Sequence, residues 1–110
     1  MDSWVESIIT DLSEDIKKQG IKVTSIILFG SQFEGTATDE SDIDLAIVSP
    51  SFIGLSSLER RKKCKKSIRH IIEIYKIPVD LILLTPEEYE NENSLRMSFI
   101  RQGISVPVLA

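Results

Sequence analysis

The sequence predicts an α/β fold, a small mixed sheet of three to four strands with helices. Three observations carry that expectation. Val5, Ile8, Ile9, Leu12 and Ile16 recur at the i, i+3, i+4, i+7 spacing of one helix face. Three apolar runs, at 24–29, 42–48 and 79–84, are too short for helices and read as buried strands. Between the last two runs, Cys64, Ile68, Ile71, Ile72 and Tyr75 share one face of a helix over 57–75.

The elements follow in order. The first helix spans 3–19. Ser3 and Glu6 have capping-box spacing, and Gly20 is a suitable stop. Strand 24–29 ends at Gly30-Ser31. The polar stretch 32–41 is turn-rich, and 31–35 has room for one helical turn. Strand 42–48 is closed by Ser49-Pro50. After the long helix, Pro78 introduces strand 79–84. Thr85 then suits an N-cap, with Pro86 at the first helical position. Residues 95–101 continue as helix, and the apolar tail 104–110 suits an added edge strand or a partner contact. The first connection is mostly loop and permits an antiparallel pair. The second passes through a long helix and implies a parallel pair with a right-handed crossover. That topology brings Gly30-Ser31, Asp42, Asp44 and Asp80 to one edge of the sheet.

Composition narrows the function. The 110 residues fit a single domain, 1–110, with a modest core. Hydrophobic content of 42% and charged content of 27% mark a globular chain. No apolar run reaches membrane-spanning length, and the N-terminus does not resemble a signal peptide, so no membrane role is expected. One cysteine, Cys64, cannot close an internal disulfide, which points to a cytoplasmic location. Thirteen basic against seventeen acidic residues give −4, which argues against bulk nucleic-acid binding.

The chemistry concentrates in three carboxylates and a Gly-Ser pair. A carboxylate beside a core is costly in its charged form unless something neutralises it. Three of them suit a hard divalent cation, Mg²⁺ or Mn²⁺, and such ions usually accompany phosphates. Asp42 and Asp44, two apart in a strand, point to one face with Cα atoms roughly 6–7 Å apart, while Ile43 and Leu45 face the core. Asp80, on the neighbouring strand, completes a site for two metal ions and is the best-placed general base for an acceptor hydroxyl. Gly30 leaves room for a phosphate against the backbone, and Ser31 adds a hydroxyl donor with free N–H groups at a helical turn. Each piece alone is common in turns and strand ends. Together, at this spacing, they point to nucleotide chemistry.

On these residues the chain resembles the polymerase-beta-like nucleotidyltransferase superfamily. Gly30-Ser31 is followed, after residues 32–41, by Asp42-Ile43-Asp44, with Asp80 on a later strand. Ser41, Leu45 and Gly35 are similar to the minimal nucleotidyltransferases, and the likeness covers essentially the whole chain. It implies Mg²⁺-dependent transfer of a nucleoside monophosphate from an NTP to a hydroxyl, with release of pyrophosphate. Many minimal members are antitoxins that transfer AMP from ATP to a tyrosine of a HEPN-type toxin, an AMPylation. The departure lies in the loop: Gln32, Phe33 and Glu34 stand where relatives carry arginine.

Other features have plainer readings. Residues 60–66 are a basic run, read as a solvated helix face. Cys64 is read as a core thiol, His70 as a surface residue, and Trp4 as packed or at a partner interface. Two rival functions remain open at this level. One is an antitoxin that acts by contact alone. The other is a small-molecule nucleotidyltransferase working as a homo-oligomer, with its pocket at the dimer interface.

Overall fold

In a computed structural model of the chain, which describes residues 3–30 and 42–106, the expected elements form one four-stranded mixed sheet with helices on both faces. Helix α1 (Ser3–Lys18) is followed by β1 (Ser25–Phe29), β2 (Ile43–Val48), a 3-10 turn (Pro50–Phe52) and α2 (Ser57–Tyr75). Next come β3 (Val79–Leu84), α3 (Pro86–Asn91), α4 (Leu95–Arg101) and β4 (Ile104–Val106). The strand order is β3-β2-β1-β4. Strands β1 and β2 are antiparallel, β2 and β3 parallel, and β4 adds antiparallel to β1. The apolar tail therefore does supply an edge strand over Ile104–Val106.

Side-chain alternation divides the core into two layers. Ile26, Leu28, Ile43, Leu45, Ile47, Leu81 and Leu83 face α1 and α2. Ile27, Ala46, Val48 and Leu84 face the other way, against Met97 and Ile100 of α4. Because β1 and β2 are covered on both faces, their sequences read as continuous apolar runs rather than alternating ones. On α1 the predicted stripe is the buried one: Val5, Ile8, Ile9, Leu12 and Ile16 are all at most 3% exposed. Each such side chain contributes about 1.5–3 kcal/mol relative to leaving it in water.

Two capping boxes set the helix starts on either side of β3. The Ser56 hydroxyl accepts from the Glu59 N–H while Glu59 accepts from the Ser56 N–H. Thr85 and Glu88 do the same for α3, with Pro86 at its first turn. Helix α1 is described from Ser3, the expected start, and the Ser3 carbonyl accepts from the Ser7 hydroxyl. Two polar clasps join α1 to α2: His70 meets Asp15 at 2.8 Å, and the Tyr75 hydroxyl donates to Asp11.

Two expectations about α2 need correction. Ile72 is 38% exposed rather than core, because the buried face narrows to Cys64, Ser67 and Ile71. Arg60, the first residue of the basic run, is not solvated. Its side chain is 12% exposed, pairs with Glu88 at 2.6 Å, and donates to the carbonyls of Leu55 and Leu83. Burial works against the Glu88 charge, but hydrogen bonds from Arg60 and Thr85 outweigh it and hold its carboxyl below the usual range.

Candidate active site

The sheet register brings the expected carboxylates together. Asp44 lies directly across from Asp80 on the parallel neighbour and across from Phe29 on the antiparallel one. Directly paired residues project to the same face, here the face that α3 and α4 cover further along the strands. Asp42 stands just before β2, exposed, and Asp80 is exposed at the start of β3. The backbone between them is tied by the Ile43 N–H donating to the Pro78 carbonyl at 3.0 Å.

The electrostatics report this closeness. Partial burial pushes the Asp44 carboxyl above its ordinary range, and the charges of Asp80 and then Asp42 push it further. Among the described residues, no ion pair relieves any of the three; Arg60–Glu88 and His70–Asp15 lie elsewhere. Among the described residues, no three carboxylate, imidazole or thiolate groups, this trio included, are arranged to hold a metal ion as they stand. The donor set nonetheless fits a hard divalent cation. It is all oxygen, and its mutual repulsion is the condition such a cation relieves.

Gly30 closes the other side. It follows β1 with φ +75, in the left-handed region that glycine enters at little cost. A β-carbon there would overlap the Asp44 carboxylate. Any larger residue at this position would force the Asp44 carboxylate to shift, a constraint beyond any need for a phosphate to approach. Ser31, Gln32, Phe33, Glu34, Gly35 and Ser41 lie outside the described residues, as does the turn expected at 31–35.

One feature of the site was not apparent from the sequence. A groove of about 520 Å³ runs between α2 and the outer edge of β3 and reaches Asp80. Arg61, Lys62, Lys65 and Arg69 line it together with Leu58, Ile68 and Ile72. The signal was present as a second helical stripe, at 58, 61, 62, 65, 68, 69 and 72, but charge along it concealed the periodicity. Cys64 points the other way, into the core, where burial raises its thiol to about 11.

Fold and site together define a nucleotidyltransferase: the family model described as nucleotidyltransferase domain matches residues 5–105, and the chain belongs to that family. A relative from Methanocaldococcus jannaschii, MJ1305, named as a candidate protein adenylyltransferase, is 33% identical over 72 residues. That match takes in 66% of this chain and 48% of the relative, so the chain spans about half the relative's length. Among solved structures, a candidate nucleotidyltransferase from Sulfolobus solfataricus superposes with a TM-score of 0.59 at 21% identity, over 96% of this chain and 86% of the other. A toxin-antitoxin structure with AMP-PNP gives 0.57 at 21% identity, over 84% and 70% of the two chains. A mutant of the MntA-HpeT toxin-antitoxin gives 0.56 at 17%, over 84% and 66%. At these identities the structural likeness establishes the fold. No described helix is long and apolar enough to cross a membrane.

Proposed function

We propose that this protein transfers AMP from ATP to a tyrosine hydroxyl of a HEPN-type toxin and serves as the antitoxin of that pair. The observation that carries the reading is the pairing of Asp44 with Asp80, with Asp42 in electrostatic reach at the same sheet edge. The relative named for protein adenylyl transfer and the toxin-antitoxin structures of the same fold support it.

Asp42, Asp44 and Asp80 would hold Mg²⁺, as two ions. When bound, Mg²⁺ neutralises phosphate charge and stabilises the attacking and leaving oxygens of an in-line displacement. Gly30, with Ser31 beside it, receives the triphosphate. Asp80, exposed at the strand start, accepts the proton of the tyrosine hydroxyl. The tyrosine oxygen bonds to the α-phosphorus, the bridging bond to the β-phosphate breaks, and pyrophosphate leaves with the electron pair. Asp44 is less exposed and holds the arrangement in register between the other two.

The test uses ATP labelled at either the α- or the γ-phosphorus, with Mg²⁺ and a HEPN-type toxin. The α label should stay on the toxin and the γ label should not. Asp80→Asn should slow labelling at least about 100-fold, the contribution of a positioned general base. Transfer of the γ label, or neutralisation of the toxin without any label, overturns the reading.

A further inference from the structure

We infer that the groove between α2 and β3 receives the acceptor protein as an extended segment whose hydroxyl residue is flanked by acidic residues. The inference rests on the protein-acceptor reading above and specifies what that acceptor looks like around its hydroxyl.

The outer edge of β3 is the first support. The Pro78 and Leu84 carbonyls bond to the β2 side, to the N–H groups of Ile43 and Ser49. Backbone groups alternate along a strand, so those of Val79, Leu81 and Leu83 point outward. Strand β3 is at the edge of the sheet, and among the described residues no further strand takes them up. Arg60 occupies the outward carbonyl of Leu83 at 3.0 Å. The edge is therefore stopped at its far end and open at Val79 and Leu81, on either side of Asp80. A bare edge of this kind pairs readily with an extended peptide.

Charge is the second support. The chain carries −4 overall, yet Arg61, Lys62, Lys65 and Arg69 gather along this one groove. Leu58, Ile68 and Ile72 line the same groove. Among the described residues the groove is lined by no aromatic side chain on which a base could stack, and its apolar content suits a peptide better than single-stranded RNA.

Geometry joins the two. Val79, Leu81 and Leu83 belong to the sheet face packed by α2, whereas Asp80 is on the other face. In a strand added beside β3, the residue opposite Asp80 projects onto Asp80's face, and its two neighbours project toward α2. The hydroxyl residue then arrives at the carboxylates while the flanking residues meet the basic stripe. Acidic flanks match that stripe and lysine flanks oppose it.

The test needs neither ATP nor turnover, so it stands apart from the chemistry. Fluorescent peptides with a tyrosine between two glutamates, or between two lysines, are titrated at low salt and followed by anisotropy. The glutamate-flanked peptide should bind the wild-type protein at least about tenfold more tightly. Reversal inside the groove, K62E with K65E, should invert that preference. The same charge change on the same helix outside the groove, K63E with K66E, should preserve it. Equal effects from both double variants, no preference between the peptides, or displacement of the acidic peptide by an unstructured RNA oligonucleotide that binds more tightly would overturn the inference. If binding behaves as expected while AMP transfer is absent, the groove stands and the enzymatic reading falls.

Discussion

Gly30 makes room for Asp44: the turn that ends β1 places a hydrogen where any side chain would overlap the Asp44 carboxylate. Both the conformation, with φ +75, and the close approach of Asp44 favour glycine here. Gly30→Ala should therefore cost about 2 kcal/mol, through left-handed strain and displacement of Asp44. Urea denaturation measures the loss. Because Asp44 must move, transfer should fall more steeply than stability, and an Ala variant with full activity would separate Gly30 from the site.

Asp44 should be a stability cost in the metal-free protein. Its carboxyl is raised, so the fold binds this proton more tightly than the unfolded chain does. The favourable contribution is present below the ordinary aspartate value of 3.8 and is lost as pH rises through the higher folded value. At neutral pH the ionised group costs stability, chiefly through desolvation and the Asp80 charge. Asp44→Asn should accordingly raise the Tm in EDTA while abolishing transfer. Mg²⁺ should raise the Tm of the wild type and have little effect on the variant. Scanning calorimetry with and without Mg²⁺ reads both.

Glu88 has the opposite sign. Its carboxyl is held low in the fold, so its contribution is present above the ordinary glutamate value of 4.5 and is lost as pH falls through the folded value. Glu88→Gln should cost about 1 kcal/mol at pH 7, since the pair with Arg60 is partly exposed. The difference between wild type and variant should shrink on acidification. Thermal melts of both across that pH range test this.

Cys64 should be inert in the native protein. It is buried, and its thiol is raised to about 11, so little thiolate exists at pH 8. An aromatic disulfide reagent should label it only after denaturation, and rapid labelling of the folded protein would contradict its place in the core.

Much of this was legible in the residue order. Thr85-Pro86 begins α3 as its chemistry requires, and 79–84 forms a strand with the boundaries the apolar run indicated. Parallel pairing of β2 with β3 follows from the helical crossover, and it is what sets Asp44 opposite Asp80. The departures on α2 have one cause: a helix with two partners carries two stripes. On α2, Ile72 has the spacing of the core face, but it lies over the groove because β3 and the basic stripe claim that side. Arg60 looks like any member of a solvated run, and only the tertiary fold shows that it caps the Leu83 carbonyl and meets Glu88. The overlap between residue 30 and Asp44 depends on the turn conformation, which spacing alone does not specify.

The central claim is that three carboxylates on one sheet edge move AMP onto a protein hydroxyl. Intact-mass spectrometry of a HEPN-type toxin co-expressed with this protein addresses it most directly. With wild type, the toxin should gain the mass of AMP. With Asp42→Asn, Asp44→Asn or Asp80→Asn, that gain should disappear while the toxin still co-purifies. A toxin that is neutralised at its unmodified mass by the wild type would contradict the account.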